Sequence, residues 1–206
     1  ITELTEDTTP DAAADYVMTY DASGTANKKV KLENLPSGGG FNHTYLGYNT
    51  AGGSSEVMEG ARAYMKQITV TDAGILSTID VYVTHVSPNN VQHLAAWVLT
   101  DDAGTPDLLF ALGARIGGNS TSPESGLYIV DEPRWISMPV GVYLPAGDYW
   151  LCVQRGIDTG TNLHVYYDSS GSDKYQTILG GWASDGSVYP ITGTTKEYSI
   201  RGSLIY

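Results

Sequence analysis

Four histidines, twenty-three carboxylates and one cysteine are the groups in this chain that support acid–base, nucleophilic or metal chemistry. Hydrolysis by a nucleophilic serine needs Ser, His and a carboxylate to converge, commonly with a Gly-x-Ser-x-Gly elbow. The sequence has no such elbow. His43, His85, His93 and His164 are far apart and form no His-Glu-x-x-His or other zinc spacing. A histidine on a sheet face, held by a hydrogen bond, is the simpler expectation for His85, His93 and His164. Glycoside hydrolysis needs two carboxylates across a cleft. Asp131-Glu132 beside Arg134-Trp135 is the most suggestive grouping, and it reads first as a strand entry with an ion pair. Cys152 sits mid-strand, where a buried, inert thiol is expected.

Two chemistries remain. Asp101, Asp102 and Asp107 lie in one acidic turn, and Asp168 and Asp173 in another. Turns of this kind offer carboxylates and loop carbonyls to Ca²⁺, which takes six to eight oxygens. Asp and Gly are also plain turn formers, and neither spacing is that of an EF-hand. Calcium is the one cofactor these turns admit. The second chemistry is aromatic. Trp97, Trp135, Trp150 and Trp182 accompany fifteen tyrosines. Sugar rings and protein partners both use exposed aromatic faces. Trp182, Tyr166 and Tyr189 border Gly/Ser/Asp-rich stretches and are the candidates for such a site; packing at a rim is the competing role.

These residues need strands to position them. "YMKQITV", "STIDVYVTHV", "VQHLAAWVLT", "LLFALGARI", "GLYIVD", "WISMPVGVYL", "DYWLCVQR", "LHVYYD", "YQTIL" and "EYSIRGSLIY" are short, β-branched or aromatic, and separated by Gly/Pro/Asn/Asp/Ser turns. No apolar stripe of helical period and no internal repeat is evident. The expected fold is all-β: a jelly-roll-like antiparallel β-sandwich over residues 41–206. In "DYWLCVQR", Trp150 and Cys152 share one face and Tyr149, Leu151 and Val153 the other. The second face is the better core, with both faces buried if layers pack on each side.

Residues 1–35 read differently. Tyr16, Met18 and Tyr20 alternate with Val17 and Thr19, then "DASGTAN" supplies turn residues, then Val30 and Leu32 alternate with Lys29 and Lys31. That pattern is a β-hairpin with a loop longer than two residues. An isolated hairpin is marginal in water, so this one must pack on something. Tyr16, Met18, Tyr20, Lys29, Val30, Lys31 and Leu32 are the expected attachment or oligomerisation residues. Residues 36–40, Pro-Ser-Gly-Gly-Gly, form a flexible joint. The hairpin is expected to order only in an assembly. Its lysines do not make it basic, because residues 1–35 hold seven acids and three lysines.

The formal net charge is −12, which repels phosphate backbones and argues against nucleic acid. No apolar run approaches a membrane span, so no insertion is expected. One cysteine allows no disulfide within the chain.

Two stretches resemble a known family. Ile1-x-x-Leu4-Thr5, "DYVMTYDAS" and "KKVKLENL" look like the N-terminal segment of tailed-bacteriophage appendage proteins. "LAAWVLTDDAGTPDLLFALG" and "VYLPAGDYWLCVQ" are similar to a β-sandwich module of phage tail and host-binding proteins. The resemblance implies a non-enzymatic virion structural protein of tail-fibre or receptor-binding type. It implies anchoring to other virion proteins through residues 1–35, a homotrimer, and a cell-surface glycan or protein receptor. A capsid decoration protein and a free carbohydrate-binding module are the alternatives.

Overall fold

The computed structural model describes residues 16–21, 26–31, 42–60, 62–85, 93–116, 132–156, 163–177 and 191–206. They form two compact units, Ile1–Asn42 and His43–Tyr206. In the first, β1 (Tyr16–Asp21) and β2 (Ala26–Lys31) make an antiparallel ladder. Its register sets Tyr16 opposite Lys31, Met18 opposite Lys29, and Val17 opposite Val30. Directly opposed residues share a face. The Tyr16 and Met18 positions therefore share the parity of the lysines, and Val30 has the other parity. Leu32 lies outside the described residues.

The second unit is an all-β antiparallel sandwich. Its strands are β3 (His43–Gly47), β4 (Ser54–Val57), β5 (Arg62–Val70), β6 (Gly74–His85), β7 (Leu94–Asp102), β8 (Thr105–Ile116) and β9 (Arg134–Leu144). They continue with β10 (Gly147–Arg155), β11 (Leu163–Asp168), β12 (Lys174–Thr177), β13 (Ile191–Gly193), β14 (Glu197–Tyr198) and β15 (Ile200–Ile205). One sheet runs β13-β12-β5-β10-β7-β8. The other runs β14-β11-β6-β15-β3, with β4 on β11 and β9 on β6. "GLYIVD" lies outside the described residues.

The period-two pattern explains the packing. On β6, Ile79, Val81 and Val83 enter the core between the sheets, with Leu151 and Val153 of β10 and Val98 of β7 facing them. Each such side chain contributes about 1.5–3 kcal/mol by leaving water. A second cluster occupies the opposite face of the six-stranded sheet. It comprises Ala63, Met65, Ala95, Trp97, Leu99, Trp150 and Cys152. Trp97 and Trp150 are fully buried there, so both faces of β10 are covered, as expected of a strand between layers. Gly202 leaves no room for a side chain on the core face of β15. A Cβ at that position would stand 2.6 Å from Leu76 Cδ1 and 3.2 Å from Leu151 Cδ1.

The seven-stranded sheet forks at Ser199. The Ser199 N–H donates to the Tyr166 carbonyl of β11, and the Ser199 carbonyl accepts from the Tyr82 N–H of β6. The Gly52 N–H reaches its hydroxyl at 2.9 Å. On one side of this point the last strand pairs with β11, and on the other with β6. β15 also pairs with β3, and Ile205 stands opposite His43.

Candidate functional site

The face of the seven-stranded sheet turned away from the core carries a continuous row of aromatic rings. Alternation on β6 sends Tyr82 outward between Val81 and Val83. The β6–β9 register sets Trp135 directly opposite it, with ring centroids 5.4 Å apart. Tyr166 of β11 meets Tyr82 edge-to-face at 5.1 Å. On the other side, the Arg201 guanidinium lies 4.0 Å from the Trp135 ring centroid and 3.8 Å from that of Tyr45. His43 closes the row, edge-on to Tyr45 at 4.6 Å.

Arg201 is fixed on every side. Its Nε donates to Asp80 Oδ2 at 3.0 Å and its Nη1 to Asn49 Oδ1 at 2.6 Å. Asp80 is buried and takes a further hydrogen bond from the Thr78 hydroxyl at 2.9 Å. The cation therefore neutralises a buried carboxylate while its plane stacks on two rings, a geometry that lysine cannot copy. The pair leaves this part of the face with no net charge. A second cross-strand row lies beside it: His43, Ile205, Ile75 and Tyr143 are opposed in register across β3, β15, β6 and β9. Ile75 is 49% exposed and Tyr143 61%. This part of the face is thus broad, neutral in sum and rich in tyrosine.

The other cluster of charge joins β4, β5, β11, β14 and the turn before β12. Lys66 Nζ donates to Asp173 Oδ1 at 3.1 Å and Glu197 Oε1 at 2.7 Å. The Tyr198 N–H donates to Asp173 Oδ2 at 2.6 Å. Burial pushes the Asp173 carboxyl up to about 6, against the pull of Lys66. Burial lowers the Lys66 pKa, but Asp173 and Glu197 outweigh that and raise it overall. Lys196 bonds Glu56, whose other oxygen accepts from the Tyr198 hydroxyl at 3.0 Å. The Gly53 N–H and the Tyr48 hydroxyl hold Asp168 below the usual carboxylate range. Each carboxylate is matched to a donor that ties one strand to another, so the cluster reads as a structural clasp.

The candidates from the sequence fall as follows. Tyr166 lies in the aromatic row, on the strand expected for "LHVYYD". Trp182, Tyr189 and Asp131 lie outside the described residues. Asp101 accepts from Trp150 Nε1 at 2.5 Å, from Gln67 Nε2 at 2.9 Å and from the Gly104 N–H at 2.8 Å. Its oxygens hold a tryptophan and a hairpin turn. Asp102 is exposed and Asp107 is partly exposed. Among the described residues no group of three or more His, Cys, Asp or Glu is placed to hold a metal ion. His43 contacts Ser203 Oγ at 2.5 Å, and His164 is half-buried on the outer face. Cys152 is fully buried, and burial pushes its thiol well up. Tyr82, Trp135, Arg201 and Tyr45 escape a reading of the sequence as a group. They come from four strands, and only pairing brings them together. The signal available was parity: Tyr82 and Trp135 each stand one residue from core positions.

No protein-family model matches the chain, and no curated protein sequence matches it.

Proposed function

We propose that this chain is a non-enzymatic virion protein of a tailed phage, of tail-fibre or receptor-binding type. Residues 1–35 attach it to other virion proteins. The sandwich presents the outward face of its seven-stranded sheet to a glycan or protein on the host surface. The observation that carries the reading is the neutral, tyrosine-rich face around Tyr45, Trp135 and Tyr143, on a chain whose net charge is −12. Interfaces favour Tyr, Trp and Arg and disfavour scattered acids. One face of Trp135 and one of Tyr45 are already covered by Arg201, so the row offers ring edges, hydroxyls and Tyr143.

Two measurements test this. Immunogold electron microscopy of purified particles should place the chain at a tail tip or fibre. Label over the head would make it a decoration protein, and absence from the particle would overturn the reading. Particles carrying Trp135→Ala with Tyr143→Ser should adsorb to host cells at least about tenfold less well. Unchanged adsorption would remove this face from receptor binding.

A further inference from the structure

The clasp around Lys66 has the parts of a reaction as well as those of an ion pair. Alternation on β5 gives Lys66 the parity of Tyr64 and Ile68, which enter the core. Its side chain is only 13% exposed. The β5–β12 register sets Lys174 opposite Met65, so Asp173, one step along, falls opposite Lys66. The two residues are 107 apart in sequence, yet Lys66 Nζ lies 3.1 Å from Asp173 Oδ1. The Asp173 side chain is 4% exposed. Glu197 reaches the same nitrogen from β14 of the other sheet, at 2.7 Å. An ordinary buried pair is one cation and one anion. Here one lysine meets two carboxylates, and the second oxygen of Asp173 accepts from the Tyr198 N–H at 2.6 Å. A fixed N–H aimed at one oxygen of a carboxyl stabilises the negative charge that gathers there when its carbon is attacked. Burial favours the protonated form of the Asp173 carboxyl, which titrates at about 6.

We propose that Lys66 and Asp173 condense to an amide, with Glu197 as the proton carrier, so that β5 and the start of β12 become covalently joined. A proton first passes from Lys66 Nζ to Asp173 Oδ1, leaving a neutral amine and a neutral acid. The nitrogen lone pair then attacks Asp173 Cγ. The N–C bond forms and the carbonyl electrons move to Oδ2, where the Tyr198 N–H receives the charge. Glu197 takes a second proton from the nitrogen and delivers it to Oδ1. The C–Oδ1 bond breaks, the oxygen leaves as water and the carbonyl re-forms at Oδ2. The products are one amide, one water and Glu197 as it began, with net charge unchanged.

Asp173 and Glu197 hold the Lys66 proton, so the neutral pair is the minority form. The bond has to form only once per molecule, and a minority form suffices for that. Held alignment raises the effective concentration of the amine at the carboxyl to about 10⁵–10⁸ M, which offsets the water that drives amides apart in solution. Condensation removes the Asp173 carboxyl, so its titration is a property of the uncondensed chain.

Intact mass spectrometry of the denatured full chain tests the proposal. The chain should be lighter than its sequence by one water. Trypsin should release residues 63–115 and 156–174 as a single branched peptide joined at Lys66 and Asp173. Lys66→Arg should be recovered at its full sequence mass. Glu197→Gln keeps a polar side chain of the same size but carries no proton, and should slow bond formation by about 10²–10⁴-fold. It should therefore also be recovered at full mass, with far-UV circular dichroism unchanged. An unaltered chain at full sequence mass, or a water loss that persists in Lys66→Arg, would overturn the proposal. Undiminished water loss in Glu197→Gln would overturn the part given to Glu197. If Lys66→Arg does not fold, the branched peptide of the unaltered chain decides: its absence, or a junction at other residues, overturns the bond.

Discussion

Single residues in this protein carry unequal loads, and Arg201 carries one of the largest. Removing it leaves Asp80 buried without its cation and separates two rings. Arg201→Ala should cost about 3–5 kcal/mol. Arg201→Lys keeps the charge but loses the stack and should cost less; chemical denaturation of both variants measures the difference. Ala103 works in the other direction. It sits at φ 49° beside Gly104 at φ 84°, in the two-residue turn between β7 and β8. That turn favours Asn-Gly, and a left-handed alanine is strained by about 1–2 kcal/mol. Ala103→Asn should therefore stabilise the fold by about 0.5–1 kcal/mol in the same assay. Asp173 links stability to pH. Its carboxyl titrates near 6 in the folded state against an ordinary 3.8. The folded state holds this proton more tightly than the unfolded chain. Its stabilising contribution is full below about 3.8 and is lost as pH rises through about 6. Asp173→Asn should remove that part of the profile, as read by thermal melts from about pH 4 to 7.

Among the elements, the long strands were legible in sequence, as were the shorter β11 and most of β12, whereas three short strands were not. β6 alternates from Ile79 to Val83, past a bulge at Leu76–Thr78, and the core face of β10, Tyr149, Leu151 and Val153, follows from period two. β3 (His43–Gly47), β4 (Ser54–Val57) and β13 (Ile191–Gly193) carry too few apolar residues to announce themselves. They are strands because β15, β11 and β12 offer them edges. Such tertiary selection is the usual reason that strand propensity fails locally. The aromatic row was hidden for a related reason: its members are conventional strand residues until pairing gathers them. Tyr166 was singled out for its nearness to a turn, whereas its place depends on Tyr82. Gly202 is an element-scale constraint that sequence does not display. Gly202→Ala would press a methyl group on Leu76 and Leu151, and should cost about 1–3 kcal/mol by overpacking.

At the scale of the whole molecule, net charge and two apolar clusters oppose each other. The clusters on either side of the six-stranded sheet hold the sandwich together, while the charge of −12 works against compactness. Raising salt from about 20 to about 200 mM shortens the screening length and should stabilise the fold. A gain of roughly 1 kcal/mol corresponds to a rise of about 2–4 °C in the thermal midpoint for a chain of this size. Scanning calorimetry at the two salt levels checks it.

The pairing of β3 with β15 has a mechanical consequence. His43, where the sandwich begins, lies opposite Ile205, near its last residue. A pull between these two points loads the ladder at one end, so its hydrogen bonds break in succession, as a zipper opens. A pull entering at His43 and resisted elsewhere on the body falls first on a five-residue edge strand. Under tension β3 should peel before either apolar cluster yields, giving the sandwich a compliant first strand on a stiffer body.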